Sequence, residues 1–157
     1  MDVKIKSVEG KFKYRVAGAV VKDEKLLMVD ICDNGFYCLP GGHIHLGEDS
    51  VTAIKREIKE EVGLTCKSLK LVALTENFFK AKSENMHEVC YFYVVEPKED
   101  VETKDYEIVE NDEGELKPLH FKWCPLNELD KVDFRPRQLK EKLKKQDFEL
   151  EHIIIKD

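Results

Sequence analysis

The 157-residue sequence has no Cys-x-x-Cys pair, a single tryptophan and no apolar run of membrane-spanning length. Its five cysteines (Cys32, Cys38, Cys66, Cys90, Cys124) are an odd number, which argues against a fully paired disulfide framework. They read as reduced thiols packed as small hydrophobes. Cys32 and Cys38 have no second pair to complete a zinc site. Basic residues are outnumbered, 26 Lys and Arg against 32 Asp and Glu, for a net charge of −6. That balance argues against a nucleic-acid backbone as main partner, because phosphate binding needs a basic surface. It leaves open small phosphorylated ligands, whose charge a metal can neutralise. The opening MDVKIKSVEGK lacks the continuous apolar core of a signal peptide. Together these absences point to a cytoplasmic protein with no membrane partner.

Hydrophobic residues make up 42% of the chain and charged residues 37%, enough for one domain, 1–157, with a real core and a wet surface. Residues 12–21 (FKYRVAGAVV) and 25–30 (KLLMVD) are β-rich and flank a polar turn, which predicts a hairpin. Residues 31–39 read as a loop containing a short extended FYCL, ending in the turn Pro40-Gly41-Gly42. Ser50 or Asp49 caps a helix predicted over 51–62, and Gly63 suits its left-handed stop. Strand material follows at 65–79 and 89–95. Residues 98–115 hold nine acidic residues and one glycine, which predicts a solvated, mobile loop. A strand at 119–123, a turn or short helix at 125–129, a helix at 136–146 and a final strand HIIIK complete the order. Interleaved strands and helices place the fold in the α/β or α+β class.

The helix at 51–62 carries unusual charge. On a wheel of about 100° per residue, Val51, Ile54, Ile58 and Val62 share one apolar stripe, and Glu57, Glu60 and Glu61 cluster beside it. Like charges at i, i+3 and i+4 repel, the more so beside an apolar border. A divalent cation turns that repulsion into coordination. An all-oxygen donor set suits Mg²⁺ or Mn²⁺ rather than zinc. Glu48, before the helix, either joins this group or complements the helix dipole.

The spacing from Gly42 to Leu64 is Gly42-x5-Glu48-x7-Arg56-Glu57-Ile58-x-Glu60-Glu61-x-Gly63-Leu64. It resembles the Nudix box of the bacterial MutT/Nudix-type pyrophosphohydrolases at every specified position. Seven fixed identities and two aliphatics coincide by chance at roughly 10⁻⁸ to 10⁻⁹ per starting point, for residue frequencies of ~7%. Looser likeness runs over residues 15–129, through AGAVV, LPGG, ENFF, HEVCYFYVVEP and WCPLNEL. The resemblance implies an α/β/α sandwich around a mixed sheet and hydrolysis of a nucleoside diphosphate linked to a group X. It implies Glu57, Glu60, Glu61 and the Gly41 carbonyl as metal ligands, with Arg56 orienting a box carboxylate. It also implies a water-activating carboxylate, from the box or from Glu88, Glu113 or Glu115.

Outside the box, Arg15 and Lys13 alternate on the first long strand and Arg15 is a candidate phosphate grip. His45 is a candidate cleft residue, with His43 beside it, and Phe79 is a candidate for stacking on a base, as are Phe78 and Tyr91. Trp123 reads as packing. No proline follows the box before Glu96, where ADP-ribose hydrolases tend to carry one, and no tyrosine stands where diadenosine polyphosphate hydrolases place theirs. That elimination favours nucleoside triphosphates, oxidised ones included. ADP-ribose, nucleotide sugars, a capped RNA end and a catalytically silent nucleotide sensor stay open, as does a homodimer.

Overall fold

β-Branched and aromatic residues gather in runs between polar turns, and strands dominate the computed structural model, which describes residues 1–156. The elements are β1 (Lys4–Lys6), β2 (Lys11–Lys22), β3 (Lys25–Ile31), β4 (Gly41–His43), α1 (Ser50–Glu57), β5 (Cys66–Ala81), β6 (Glu84–Pro97), β7 (Tyr106–Asp112), β8 (Glu115–Pro125), α2 (Lys140–Lys144) and β9 (Glu151–Lys156). A π-helical turn, Ile58–Val62, prolongs α1, and 3₁₀ turns at Leu126–Lys131 and Arg137–Leu139 precede α2.

The strands form one mixed sheet in the order β7-β8-β3-β2-β6-β5-β9, with β1 and β4 also paired to β2. β2 runs parallel to β6 from Lys11↔Met86 to Val20↔Val95. Alternate residues of β2 serve opposite faces. Val16 and Val20 pack in one core with Ile54 and Ile58 of the helical segment. Ala17 and Ala19 pack in another with Leu129, Leu139 and Leu143. Helical layers therefore cover both faces, the expected α/β/α arrangement.

The β2–β3 hairpin turns through Asp23 and Glu24, both at positive φ (49° and 57°), a turn whose twist suits the strands. β3 pairs with β2 only at Val21↔Leu26 and Lys22↔Lys25, then continues against β8 as far as Ile31↔Leu119. The space that β3 leaves beside the first part of β2 is taken by β1, from Lys4↔Lys13 to Lys6↔Lys11, and by β4, in register Arg15↔His43, Val16↔Gly42 and Ala17↔Gly41. This divergence opens the cleft described below.

Several expectations need correction. The acidic segment 98–115 is not a loop throughout: β7 pairs with β8 from Tyr106↔Phe121 to Asp112↔Glu115. Its alternation puts Tyr106, Ile108, Glu110 and Asp112 inward and Glu107, Val109 and Asn111 outward, a period-2 signal hidden by the acidic composition. The predicted helix at 51–62 is eight α-helical residues followed by the π turn, and Val51 lies 42% exposed rather than in the apolar stripe. The predicted helix at 136–146 shrinks to a 3₁₀ turn and five α-helical residues. Trp123 is buried in the core, as expected. All five cysteines are free, and among the described residues no helix is long and apolar enough to cross a membrane.

Gly18 lets the helical segment lie close on the sheet. A Cβ there would stand 2.9 Å from Val95 Cγ2, 3.0 Å from Ile58 Cδ1 and 3.1 Å from Ile54 Cδ1. Gly18→Val overpacks this contact and should cost about 1–3 kcal/mol, a fall of several degrees in Tm by calorimetry. An unchanged Tm would contradict the packing.

Candidate functional site

The Gly42–Leu64 segment folds as a loop, a helix and a left-handed stop, and each part places a charged side chain. Asp49 is the N-cap, accepting from Thr52 N–H at 2.8 Å. Gly63 ends the segment at φ 74°, its N–H donating to Lys59 O. Between them, Glu57 faces the backbone of β4. A Cβ on Gly42 would stand only 2.4 Å from the Glu57 carboxyl, and one on Gly41 only 2.1 Å from Val16 O. The glycine pair therefore admits the Glu57 side chain and the neighbouring strand. Gly41 N–H donates to Glu61 Oε2 at 3.3 Å, so its peptide lies beside the carboxylates.

Arg56 organises the charges. Its Nε and Nη2 bind Glu48 at 2.8 and 2.9 Å, a bidentate pair. Nη1 donates to Glu57 Oε1 at 2.7 Å and Glu60 Oε2 at 3.4 Å, and Nη2 also reaches His43 O at 3.0 Å. Arg56 thus pairs with box carboxylates, as the sequence suggested. Glu48 does not join the cluster. It anchors Arg56 and accepts from His45 N–H at 2.9 Å, and the Arg56 hydrogen bond holds its carboxyl down at about 2.

These groups line one side of a cleft of about 370 Å³. Lys13 and Arg15 of β2, Asp2, His43 and His45 share its lining, and the β7–β8 hairpin closes the far side with Glu110, Asp112 and Lys117. Lys117 is ion-paired to Asp112. His45 Nε2 lies 3.2 Å from Asp2 and His43 Nδ1 lies 3.7 Å from it. Burial, then the nearby Arg15 cation, lowers His43 to about 4, so it is neutral at pH 7.

Of the residues singled out in sequence, Gly41, Glu57, Glu60, Glu61, Arg56, Arg15 and His45 meet at this cleft. Glu88 does not line it. That carboxylate stands behind Arg15, 3.5 Å from Nη1. Glu113 sits at the hairpin turn, paired with Lys4, and Glu115 is exposed. Phe79 is also displaced from the expectation: it borders a separate hollow of about 480 Å³, lined as well by Phe12, Met86 and His87. Phe78 stacks on His87 there, and Tyr91 meets Tyr14 edge-on. Sequence reasoning missed Glu110, Asp112 and Lys117. The alternation of YEIVEND was the signal that could have found the two acids.

Burial differs along the helix. The Glu57 side chain is 9% exposed and that of Glu60 is 60% exposed. Burial pushes Glu61 up to about 8, reinforced by Glu57 and Glu110, and burial also raises Glu57. A set of crowded carboxylates whose charge is disfavoured fits a hard divalent cation with oxygen ligands. Among the described residues no three His, Cys, Asp or Glu side chains are drawn into a closed cage. Arg56 stands between Glu57 and Glu60, and Mg²⁺ characteristically keeps several of its waters.

A carboxyl with a folded pKa near 8 and an unfolded one near 4.5 binds more protons in the folded state between those values. Metal-free stability therefore falls as pH rises through that window. Glu61→Gln should match the wild type at pH 4 in EDTA and melt a few degrees higher at pH 9 by calorimetry. Mg²⁺ at pH 9 should raise the wild-type Tm and leave the variant's nearly unchanged. A lower Tm for the variant at pH 9 would contradict the repulsive cluster.

A NUDIX domain family model matches residues 13–144. An ADP-ribose pyrophosphatase of Methanocaldococcus jannaschii is 40% identical over 62 residues, 38% of this chain and 37% of that protein. A MutT-like protein of Streptomyces ambofaciens is 38% identical over 63 residues, 40% of this chain and 41% of that protein. The matched segment thus spans about two-fifths of either relative. Among solved structures, a mutator MutT protein from Bacillus halodurans superposes with a TM-score of 0.67 at 16% identity, covering 90% of this chain and 88% of that one. A MutT NUDIX hydrolase from Burkholderia pseudomallei gives 0.51 at 23% identity, over 74% and 84%. At these identities the structural likeness is one of fold. The family match covers most of the chain, and the chain belongs to the NUDIX family.

Proposed function

We propose that the chain, as one cytoplasmic domain, is a Mg²⁺-dependent pyrophosphohydrolase (Mn²⁺ substituting) that cleaves a nucleoside diphosphate linked to X. The preferred substrate is a nucleoside triphosphate, oxidised ones included, cleaved to a monophosphate and pyrophosphate. One observation carries the reading: a cleft with three box carboxylates on one side holds Lys13, Arg15 and Lys117 as well. Acids can hold a cation there, and basic groups can hold phosphate oxygens.

Glu57, Glu60, Glu61 and the Gly41 carbonyl would hold the cation, which when bound neutralises the diphosphate oxygens that repel a nucleophile. Arg56 keeps Glu57 and Glu60 in place through its bonds to both. Arg15 and Lys13 orient the phosphate chain. Burial and the neighbouring Asp112 raise Glu110, which leaves it a better proton acceptor than an ordinary carboxylate. We assign Glu110 the proton of the attacking water. The water oxygen bonds to phosphorus, the bridging P–O bond breaks, and the leaving phosphate takes the bridging oxygen.

A second reading has one specific support, the relative named ADP-ribose pyrophosphatase. Both substrates share the diphosphate, so the same cleft chemistry serves either. Turnover of a panel of nucleoside triphosphates, ADP-ribose and nucleotide sugars with Mg²⁺ should show the highest kcat/KM on a triphosphate. Glu60→Gln and Glu110→Gln should each lose about 10²–10⁴-fold in kcat. An unchanged rate in Glu60→Gln would overturn the metal-ligand role, and one in Glu110→Gln the proton acceptor. Absence of any wild-type turnover would favour a silent nucleotide sensor.

A further inference from the structure

We propose that Asn77 and Glu88 form a base-reading pair beside the phosphate end of the cleft, selecting nucleobases that carry an exocyclic amino group. The inference rests on the nucleotide-hydrolase reading of the cleft.

The sheet register sets the two residues side by side. One row across it runs Lys13↔Glu88 between β2 and β6, then Asn77↔Glu88 between β5 and β6. The adjacent row runs Arg15↔Cys90 and Thr75↔Cys90. Rows two residues apart project to the same face, and Arg15 Nη1 approaches Glu88 Oε2 at 3.5 Å. Asn77 and Glu88 therefore continue the face on which Lys13 and Arg15 line the cleft. Two strand spacings, about 10 Å, separate β2 from β5. A nucleoside reaches about that far from its phosphate.

These groups have hydrogen-bonding capacity that the protein does not use. Asn77 Oδ1 and Arg15 Nε are buried and have no hydrogen-bond partner. Glu88 is only 14% exposed, and its contact with Arg15 is longer than a charge-assisted hydrogen bond. Buried polar atoms are nearly always paired, and leaving one unpaired is costly. Their pairing by a ligand explains why two neighbouring strands keep a partly buried amide and carboxylate here.

Chemistry then sets the preference. Asn77 Oδ1 and the Glu88 carboxylate are both acceptors. The amino group of cytosine or adenine supplies N–H donors to them. A keto oxygen at the same ring position, as in uracil or hypoxanthine, sets acceptor against acceptor. The unpaired Asn77 Oδ1 takes one N–H of that amino group and Glu88 the other, so the selection needs both side chains.

The test compares kcat/KM on CTP against UTP and on ATP against ITP, pairs with identical phosphates. The wild type should prefer the amino member of each pair by about tenfold or more. Asn77→Leu and the smaller Asn77→Ser should bring both ratios toward one, chiefly through KM, with thermal melting confirming the fold. Equal wild-type rates within each pair, or ratios unchanged in both variants, would overturn the inference and leave the hydrolase reading standing. No turnover of any of the four would overturn the hydrolase reading itself, and the base-reading pair with it.

Discussion

The Arg56 guanidinium holds Glu48, Glu57, Glu60 and the His43 carbonyl at once, and the polar arrangement of the cleft follows from it. Glu48 fixes the planar fork by a bidentate pair, which sets the orientation of the remaining donors. Through His43 the same group ties the helix to β4. One side chain thus couples the loop before α1, the helix and the strand facing it.

The backbone supplies the rest. β3 leaves β2 after two residue pairs, and the short β4 takes its place beside Arg15. Gly42 gives the Glu57 carboxyl room that any Cβ would take. Across the gap the β7–β8 hairpin brings up two further carboxylates and a lysine. Burial raises Glu57, Glu61 and Glu110. A cluster of this kind weakens the metal-free fold, a common cost of a functional site. It persists because the surrounding sheet is well packed on both faces.

Much of this was legible in the sequence where local rules act alone. An N-cap at Ser50 or Asp49 (the structure uses Asp49), Gly63 as left-handed stop and the i, i+3, i+4 carboxylates follow from capping preference, helix geometry and box spacing. The pairing of Arg56 with box carboxylates was legible for the same reason. What escaped depends partly on contacts distant in sequence and partly on local signals that composition masked. The hairpin with Glu110 and Asp112 was masked because nine acids outweigh three apolar residues in a composition-based reading. Glu88 looked like a cleft base because pairing in parallel with β2, which sets it behind Arg15, is invisible from its own strand. Phe79 fell outside the cleft for a similar reason: strand periodicity gives a face, not a position along the sheet. The π turn at Ile58–Val62 breaks the 3.6-residue period that the helical wheel assumes.

The central claim is that Arg56 pre-positions the carboxylates for a divalent cation. The most direct measurement is Mn²⁺ affinity by isothermal titration and electron paramagnetic resonance, in the wild type and Arg56→Gln. Loss of an orienting partner of this kind should weaken binding by about 10–100-fold with the fold retained. Equal or tighter Mn²⁺ binding in Arg56→Gln would contradict the account, because the guanidinium would then be only a competing cation.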